Sequence, residues 1–176
     1  IAVSATADGG ISLTLGNVTA TGDGSRAIYG RVSFGDAEVD VGDVDSDSTA
    51  IDLSVGTPGY AGSGNIAVVA GNVTTRGDGA AGILLTGDVV TLGVGDVTTL
   101  GDDSPAIDVE GLTSADVTCG DISTSGRGTD AVRVVATDFS ASASLTCGDI
   151  SATGEGSRGI QAGAAGDVTV NAGNVI

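Results

Sequence analysis

The chain has 176 residues and a formal charge of −17, with 6 cationic and 23 acidic side chains and no histidine, methionine or tryptophan. This balance disfavours nucleic acid and anionic membranes as partners, and no apolar stretch is long enough to span a membrane. Val, Ile, Leu and Phe still supply 44 residues, most of them β-branched, which favours strands. We therefore expect an all-β chain that folds and has no membrane span.

A tripeptide of Gly, then Asn or Asp, then Val or Ile recurs along the chain. It begins at Gly16, Gly42, Gly71, Gly95, Gly120, Gly148 and Gly173, with spacings of 24 to 29 residues. Repeats of this length indicate a solenoid, in which each repeat packs on its neighbours. We predict a single array over residues 1–176, a right-handed parallel β-solenoid (β-helix) of about seven coils, with three short strands in each coil of about 25 residues.

The alternation of apolar residues places the three strands. The first strand ends at each Gly, because the first, third and fifth residues counted back from it are apolar or small in every copy, as in Ile11, Leu13 and Leu15. The second and third strands lie on either side of a Gly-rich corner such as Gly-Asp-Gly-Ser at 22–25. Second strands begin at Val18, Val44, Val73, Val97, Ile122, Ile150 and Val175, and third strands at Ile28, Ile51, Ile83, Ile107, Val132 and Ile160.

Nearly all length variation falls after the third strand, at 31–36, 54–65 and 135–142. The insertions therefore share one corner of the coil. We expect them to leave three separate sheets intact around a roughly triangular core.

The Asn or Asp of each tripeptide stacks into a ladder, and two kinds of contact can stabilise it. Stacked carboxylates about 5 Å apart repel by roughly 1 kcal/mol per neighbour in water. Either turn N–H groups bind them or a cation lies between them, since carboxylates are preferred Ca²⁺ ligands. Both alternatives stay open; the candidate Ca²⁺ ligands are Asp96, Asp121 and Asp149, and we expect no other cofactor.

Two cysteines occupy the same inward position on adjacent coils. We predict that Cys119 and Cys147 are buried neighbours. A spacing of about 5 Å permits a disulfide by Cα distance, but parallel side chains hold the sulfurs less favourably than usual, so the bond itself is left open.

The residues needed for catalysis are scarce. Enzymes on parallel β-helices act chiefly on polysaccharides and use an acid/base pair, usually with Arg, Lys or His and aromatic platforms for sugar. This chain has no Lys or His, and its best carboxylate pair, Asp102 and Asp103, belongs to a corner. We therefore expect no enzymatic activity. Arg76-Gly77-Asp78 spells a tripeptide used by integrin ligands, but the repeat itself supplies its Gly-Asp.

The two ends of the sequence match incomplete coils. Ile1 and Val3 correspond to the third-strand positions Ile28 and Gly30, while 173–176 begin another coil. This predicts an open stack, which is either a segment of a longer chain or a subunit of a head-to-tail homo-oligomeric filament.

Residues 16–28, Gly-Asn-Val-Thr-Ala-Thr-Gly-Asp-Gly-Ser-Arg-Ala-Ile, and their echo at 148–160 resemble the repeats of bacterial autotransporter and filamentous-haemagglutinin-like β-helix adhesins. The likeness covers the whole chain. It implies a secreted rod at the cell surface that bears loops for a receptor or a glycan. We expect a structural or adhesive extracellular fibre; the alternative is a secreted module that binds Ca²⁺, ice or a glycan.

Overall fold

A computed structural model describes residues 2–56 and 64–176, and its regular structure is entirely β-strand. The strands are β1 (Val3–Ala7), β2 (Ile11–Leu15), β3 (Val18–Ala20), β4 (Ile28–Val32), β5 (Ala37–Val41), β6 (Val44–Ser46), β7 (Ile51–Val55), β8 (Ile66–Ala70), β9 (Val73–Thr75), β10 (Ile83–Val94), β11 (Val97–Thr99), β12 (Ile107–Cys119), β13 (Ile122–Thr124), β14 (Asp130–Ala136), β15 (Ser142–Thr146), β16 (Ile150–Ala152), β17 (Arg158–Gly163) and β18 (Val168–Asn171). In these ranges no helix has the length and apolar character needed to cross a membrane.

The strands stack as parallel coils, which confirms the β-solenoid. Third strands follow one another in the order β1-β4-β7-β10-β12-β14-β17, and second strands in the order β3-β6-β9-β11-β13-β16. Ile28 pairs with Ile51 and Ile51 with Ile83, as the repeat predicts. The stack completes about six turns, one fewer than predicted, because the tripeptide at Gly173 only opens a further turn.

The prediction of three separate sheets is wrong in two coils. β10 and β12 each run from a third-strand segment through the corner into the next first-strand segment. They join those two ladders into one sheet, which has twelve strands within the described residues. These coils carry no insertion at the corner, so the chain has no loop to form there and stays extended. A register shift between Gly87 and Val89 marks the bend in β10.

The predicted register of β1, which belongs to the third-strand ladder, is also wrong by two residues. Val3 pairs with Ile28, whereas the sequence had matched it with Gly30. Ile1, which the sequence had matched with Ile28, lies outside the described residues. Alternation cannot detect this shift, because a two-residue slip keeps every side chain on the same face. Of the predicted insertion at 54–65, residues 57–63, Tyr60 among them, lie outside the described residues as well.

The core is narrow and aliphatic. Its largest fully buried side chains include Ile28, Ile51, Ile83 and Ile107, one above another along the third strand. Burying such a side chain stabilises the fold by about 1.5–3 kcal/mol. Among the described residues no aromatic side chain belongs to the core, and Phe139 is 97% exposed. Stability therefore comes from contacts between neighbouring coils rather than from a few large anchors.

A column of buried threonines along the second strand holds one unpaired hydroxyl. Thr75 Oγ1 donates to the Ala80 carbonyl at 3.1 Å and Thr99 Oγ1 donates to the Ser104 carbonyl at 2.9 Å. Thr124 Oγ1, one coil later, is buried without a partner within the described chain. A buried hydroxyl without a partner costs about 1–3 kcal/mol.

We expect Thr124→Val to raise the free energy of unfolding by about 1 kcal/mol, because the change removes an unsatisfied hydroxyl and keeps the side-chain shape. Thr99→Val is the matched control and should lower it by about 1 kcal/mol, since it deletes a made hydrogen bond. Urea midpoints of the two variants would be compared with the parent chain. Equal losses in both variants would contradict the assignment of an unpaired Thr124.

Candidate functional site

The recurring tripeptides form a hydrogen-bonded ladder along one corner of the rod. In each coil, Oδ1 of the Asn or Asp accepts the backbone N–H of the Asn or Asp one coil later. The acceptor and donor pairs are Asn17 and Asp43, Asp43 and Asn72, Asn72 and Asp96, Asp96 and Asp121, Asp121 and Asp149, and Asp149 and Asn174, at 2.8 to 3.0 Å. We name this set the Asx ladder.

The glycine of the tripeptide makes room for the ladder. A Cβ at Gly120 would overlap Oδ1 of Asp96, and a Cβ at Gly148 would overlap Oδ1 of Asp121. Each glycine therefore leaves the space that the Asn or Asp of the preceding coil occupies. Gly and Asx recur together because they are the two halves of one contact between coils.

The ladder carboxylates are exposed and already hold backbone donors. Asp96, Asp121 and Asp149 lie on consecutive coils, as predicted, and each uses one oxygen for the next N–H. The backbone N–H of Asn174, and then its side-chain amide, hold the pKa of Asp149 below its ordinary value. A lowered pKa means that this carboxylate favours the folded coil at neutral pH and loses that contribution as the pH falls through the lowered value.

In the ranges that the structure describes, no group of three or more acidic or cysteine side chains is placed to share a metal ion. The backbone contacts correspond to the hydrogen-bonded alternative for the ladder. Calcium at Asp96, Asp121 and Asp149 stays a prediction that a chelator experiment tests.

Cys119 and Cys147 are adjacent in the stack. Their Cα atoms are 4.6 Å apart and their sulfurs are joined in a disulfide. Cys119 is 8% exposed and Cys147 is partly buried. The bond links two coils that are 28 residues apart in sequence, so it closes one complete turn of the solenoid.

The Gly-Asp-Gly corners form a second column of polar residues. An open depression of about 450 Å³ is lined by Asp102, Asp103, Arg127, Gly128, Glu155 and Gly156. Asp102 accepts the Arg127 N–H at 2.8 Å, and the Arg127 Nε lies 3.5 Å from its second oxygen. Asp103 adopts a φ of 53°, a left-handed conformation that glycine takes at the same corner of the next coil, at Gly128. The predicted carboxylate pair therefore belongs to the corner and its ion pair.

Each of the six arginines forms an ion pair with an acid of an adjacent coil. The pairs are Arg26 and Arg31 with Asp52, Arg76 with Asp45, Arg127 with Asp102, Arg133 with Asp108 and Glu110, and Arg158 with Asp130. Within the Arg76-Gly77-Asp78 tripeptide, Arg76 is held by Asp45 and Asp78 accepts the N–H of Asp102. Both charged ends of this tripeptide thus contact the rod itself.

Sequence reasoning missed one cluster, on the outward face of the third strands. Arg26, Tyr29 and Arg31 surround Asp52, which is 3% exposed and is the one charged residue buried within the described ranges. Asp52 lies at an outward position of its strand, so the alternation of the sequence predicts a solvated side chain. The sequence did hold one signal of this cluster. Each of these three residues precedes Asp52 by 21 to 26 residues, about one coil, which places it beside Asp52 in the stack.

Comparison of the chain with protein-family models, with curated proteins and with solved structures finds no match. The fold and the contacts described above therefore carry the functional argument.

Proposed function

We propose that this chain is the rod of a structural or adhesive extracellular fibre, that it lengthens by end-to-end stacking of coils, and that it has no catalytic role. The observation that carries the proposal is the uniform contact between coils. Every tripeptide is joined to the next by the same Asx-ladder hydrogen bond and the same glycine gap. A contact that repeats without change can be extended by any coil with the same surface.

The strand at 168–171 presents inward residues that a further coil would bury. Val168 and Val170 are 44% and 45% exposed, whereas Leu145, which pairs with Val170 one coil earlier, is 0% exposed. A further coil would cover them, whether it belongs to the same polypeptide or to another copy. A heterologous contact of this kind does not close and therefore grows as a filament.

The chemistry of the chain supports a location outside the cell. A disulfide between adjacent coils suits an oxidising compartment. A net charge of −17 keeps rods apart laterally while the coils stack axially. Calcium binding is the second candidate function, because the exposed Asp96 and Asp121 each give only Oδ1 to a hydrogen bond within the described residues. Their second oxygens can face a cation, whereas both oxygens of Asp149 contact Asn174.

Electron microscopy of the purified chain over a range of concentrations, with and without a chelator, tests the proposal. We expect fibres with an axial repeat near 30 Å, the rise of six to seven coils at about 4.8 Å each, in both conditions. Fibres that form only when calcium is present would favour the calcium-binding alternative. A chain that stays monomeric at every concentration would overturn end-to-end assembly.

A further inference from the structure

The cluster around Asp52 differs in charge from the rest of the rod. Asp52 Oδ2 lies 3.2 Å from Nη1 of Arg26, and Oδ1 lies 3.6 Å from Nη2 of Arg31. Two arginines therefore share one carboxylate, and the cluster carries a net charge of +1. Each of the other four arginines has at least one acid of its own.

The guanidinium groups in this cluster are held in fixed positions. Arg31 Nε donates to the Tyr29 hydroxyl at 3.0 Å, and Arg31 Nη1 contacts the Ser54 hydroxyl. The guanidinium carbons of Arg26 and Arg31 lie 4.8 and 5.2 Å from the centroid of the Tyr29 ring, within the range of cation–π attraction. A buried carboxylate and an aromatic ring thus orient both cations before any ligand arrives.

The same two arginines remain open to solvent. Their side chains are 41% and 44% exposed, although Asp52 beneath them is buried. A guanidinium carries five N–H donors, and Arg26 uses only Nη1 in its contact with Asp52. Donors and positive charge therefore face outward on a protein whose surface is otherwise acidic.

The surroundings of the arginines are polar and hydroxyl-rich. Parallel pairing places Ser4 beside Tyr29 and Thr6 beside Arg31, and both of these hydroxyl residues are exposed. The outward face of a sheet here offers charged donors and hydroxyls rather than an apolar pocket. Such a surface suits a small polar ligand that carries one negative charge and many hydroxyl groups.

We propose that Arg26, Tyr29, Arg31 and the adjacent hydroxyls of Ser4 and Thr6 form a binding site for an acidic saccharide, with the guanidinium groups holding its carboxylate or sulfate group. Polyanions such as nucleic acid meet the acids along the rest of the rod and are repelled. A short acidic saccharide meets fewer of these acids, and charges more than about 8 Å from it are screened at physiological salt.

This inference deepens the adhesive part of the proposed function and rests on it. One exposed patch of this size gives weak binding to a single saccharide. In a fibre the patch recurs once per chain, and repeated sites on one rod bind a surface that displays many short acidic saccharides far more tightly than a single site does. A structural rod would in this way also be an adhesive one.

Ligand-observed nuclear magnetic resonance on the dispersed 176-residue chain tests the site. The probes are a neutral oligosaccharide, a uronic-acid oligosaccharide and a sulfated oligosaccharide of equal length. We expect saturable binding of at least one acidic probe and none of the neutral probe, and the two acidic probes separate carboxylate from sulfate recognition. Arg26→Gln and Arg31→Gln should each weaken binding about tenfold or more, since each removes charge-assisted hydrogen bonds.

Two further variants separate a built site from general attraction. Arg127→Gln removes an arginine at a corner away from the patch and should leave binding unchanged. Asp52→Asn raises the charge of the patch, so simple attraction predicts tighter binding, whereas a site oriented by Asp52 predicts weaker binding with the fold retained in circular dichroism.

Equal binding of the neutral probe, no binding of either acidic probe, a loss in Arg127→Gln as large as in Arg26→Gln, or tighter binding by Asp52→Asn would each overturn the site. Saccharide binding is measured on dispersed chains and fibre assembly by microscopy. A negative result in either experiment therefore does not affect the interpretation of the other.

Discussion

We expect Gly126→Ala to destabilise the rod by more than about 3 kcal/mol, because the added methyl group would collide with the backbone of the neighbouring coil. A Cβ at Gly126 would overlap the carbonyl oxygen and carbon of Gly101 in the coil below. Backbone atoms cannot move aside as a side chain can, so the two coils would have to separate and lose their hydrogen bonds.

The matched control is Gly93→Ala. A Cβ at Gly93 meets no atom within 4 Å, and its φ is outside the left-handed region. Alanine at this position reduces the entropy of the unfolded chain, so it should raise the free energy of unfolding by less than about 1 kcal/mol. Thermal and urea unfolding of both variants would be compared by circular dichroism. Similar behaviour of the two variants would mean that the coils do not approach as closely as described.

Loss of the disulfide should also destabilise the rod strongly. A cross-link between residues 28 apart restricts the unfolded chain by an amount worth about 3–4 kcal/mol in the chain-entropy treatment. We therefore expect the double variant Cys119→Val/Cys147→Ala to unfold at lower urea concentration than the oxidised parent. Val and Ala occupy this inward position in other coils, as at Val94 and Ala70, so packing should be retained.

Reductant supplies the control for the disulfide. It should lower the unfolding midpoint of the parent chain towards that of the double variant and leave the variant unchanged. Intact-mass measurement after thiol labelling gives an independent readout. Two labelled cysteines in protein purified without reductant would show that the bond does not form.

Features that depend on the repeat could be predicted from the sequence, because a solenoid places equivalent residues side by side. The pairing of Ile28 with Ile51 and the proximity of Cys119 and Cys147 follow from offsets to the tripeptide alone. The hydrogen-bonded form of the ladder was one of two alternatives, since composition cannot distinguish a backbone donor from a cation as the partner of a carboxylate.

Features that depend on irregularities could not be predicted. The merging of two ladders through β10 and β12 depends on how the chain bends where no insertion is present. Burial of Asp52 depends on long side chains that reach across from the preceding coil, and their rotamers are not visible in a pattern of apolar residues. The cluster with the clearest binding chemistry thus lies at outward positions that periodicity treats as solvent-facing.

The Asx ladder also gives the rod a direction. At every step the side-chain oxygen belongs to the earlier coil and the N–H to the later one. One face of any stack therefore offers unfilled acceptors and the other offers unfilled donors. If two stacks met through ends of the same kind, acceptor would face acceptor or donor would face donor, and the ladder hydrogen bond could not form. We therefore expect rods to add further coils in a single orientation.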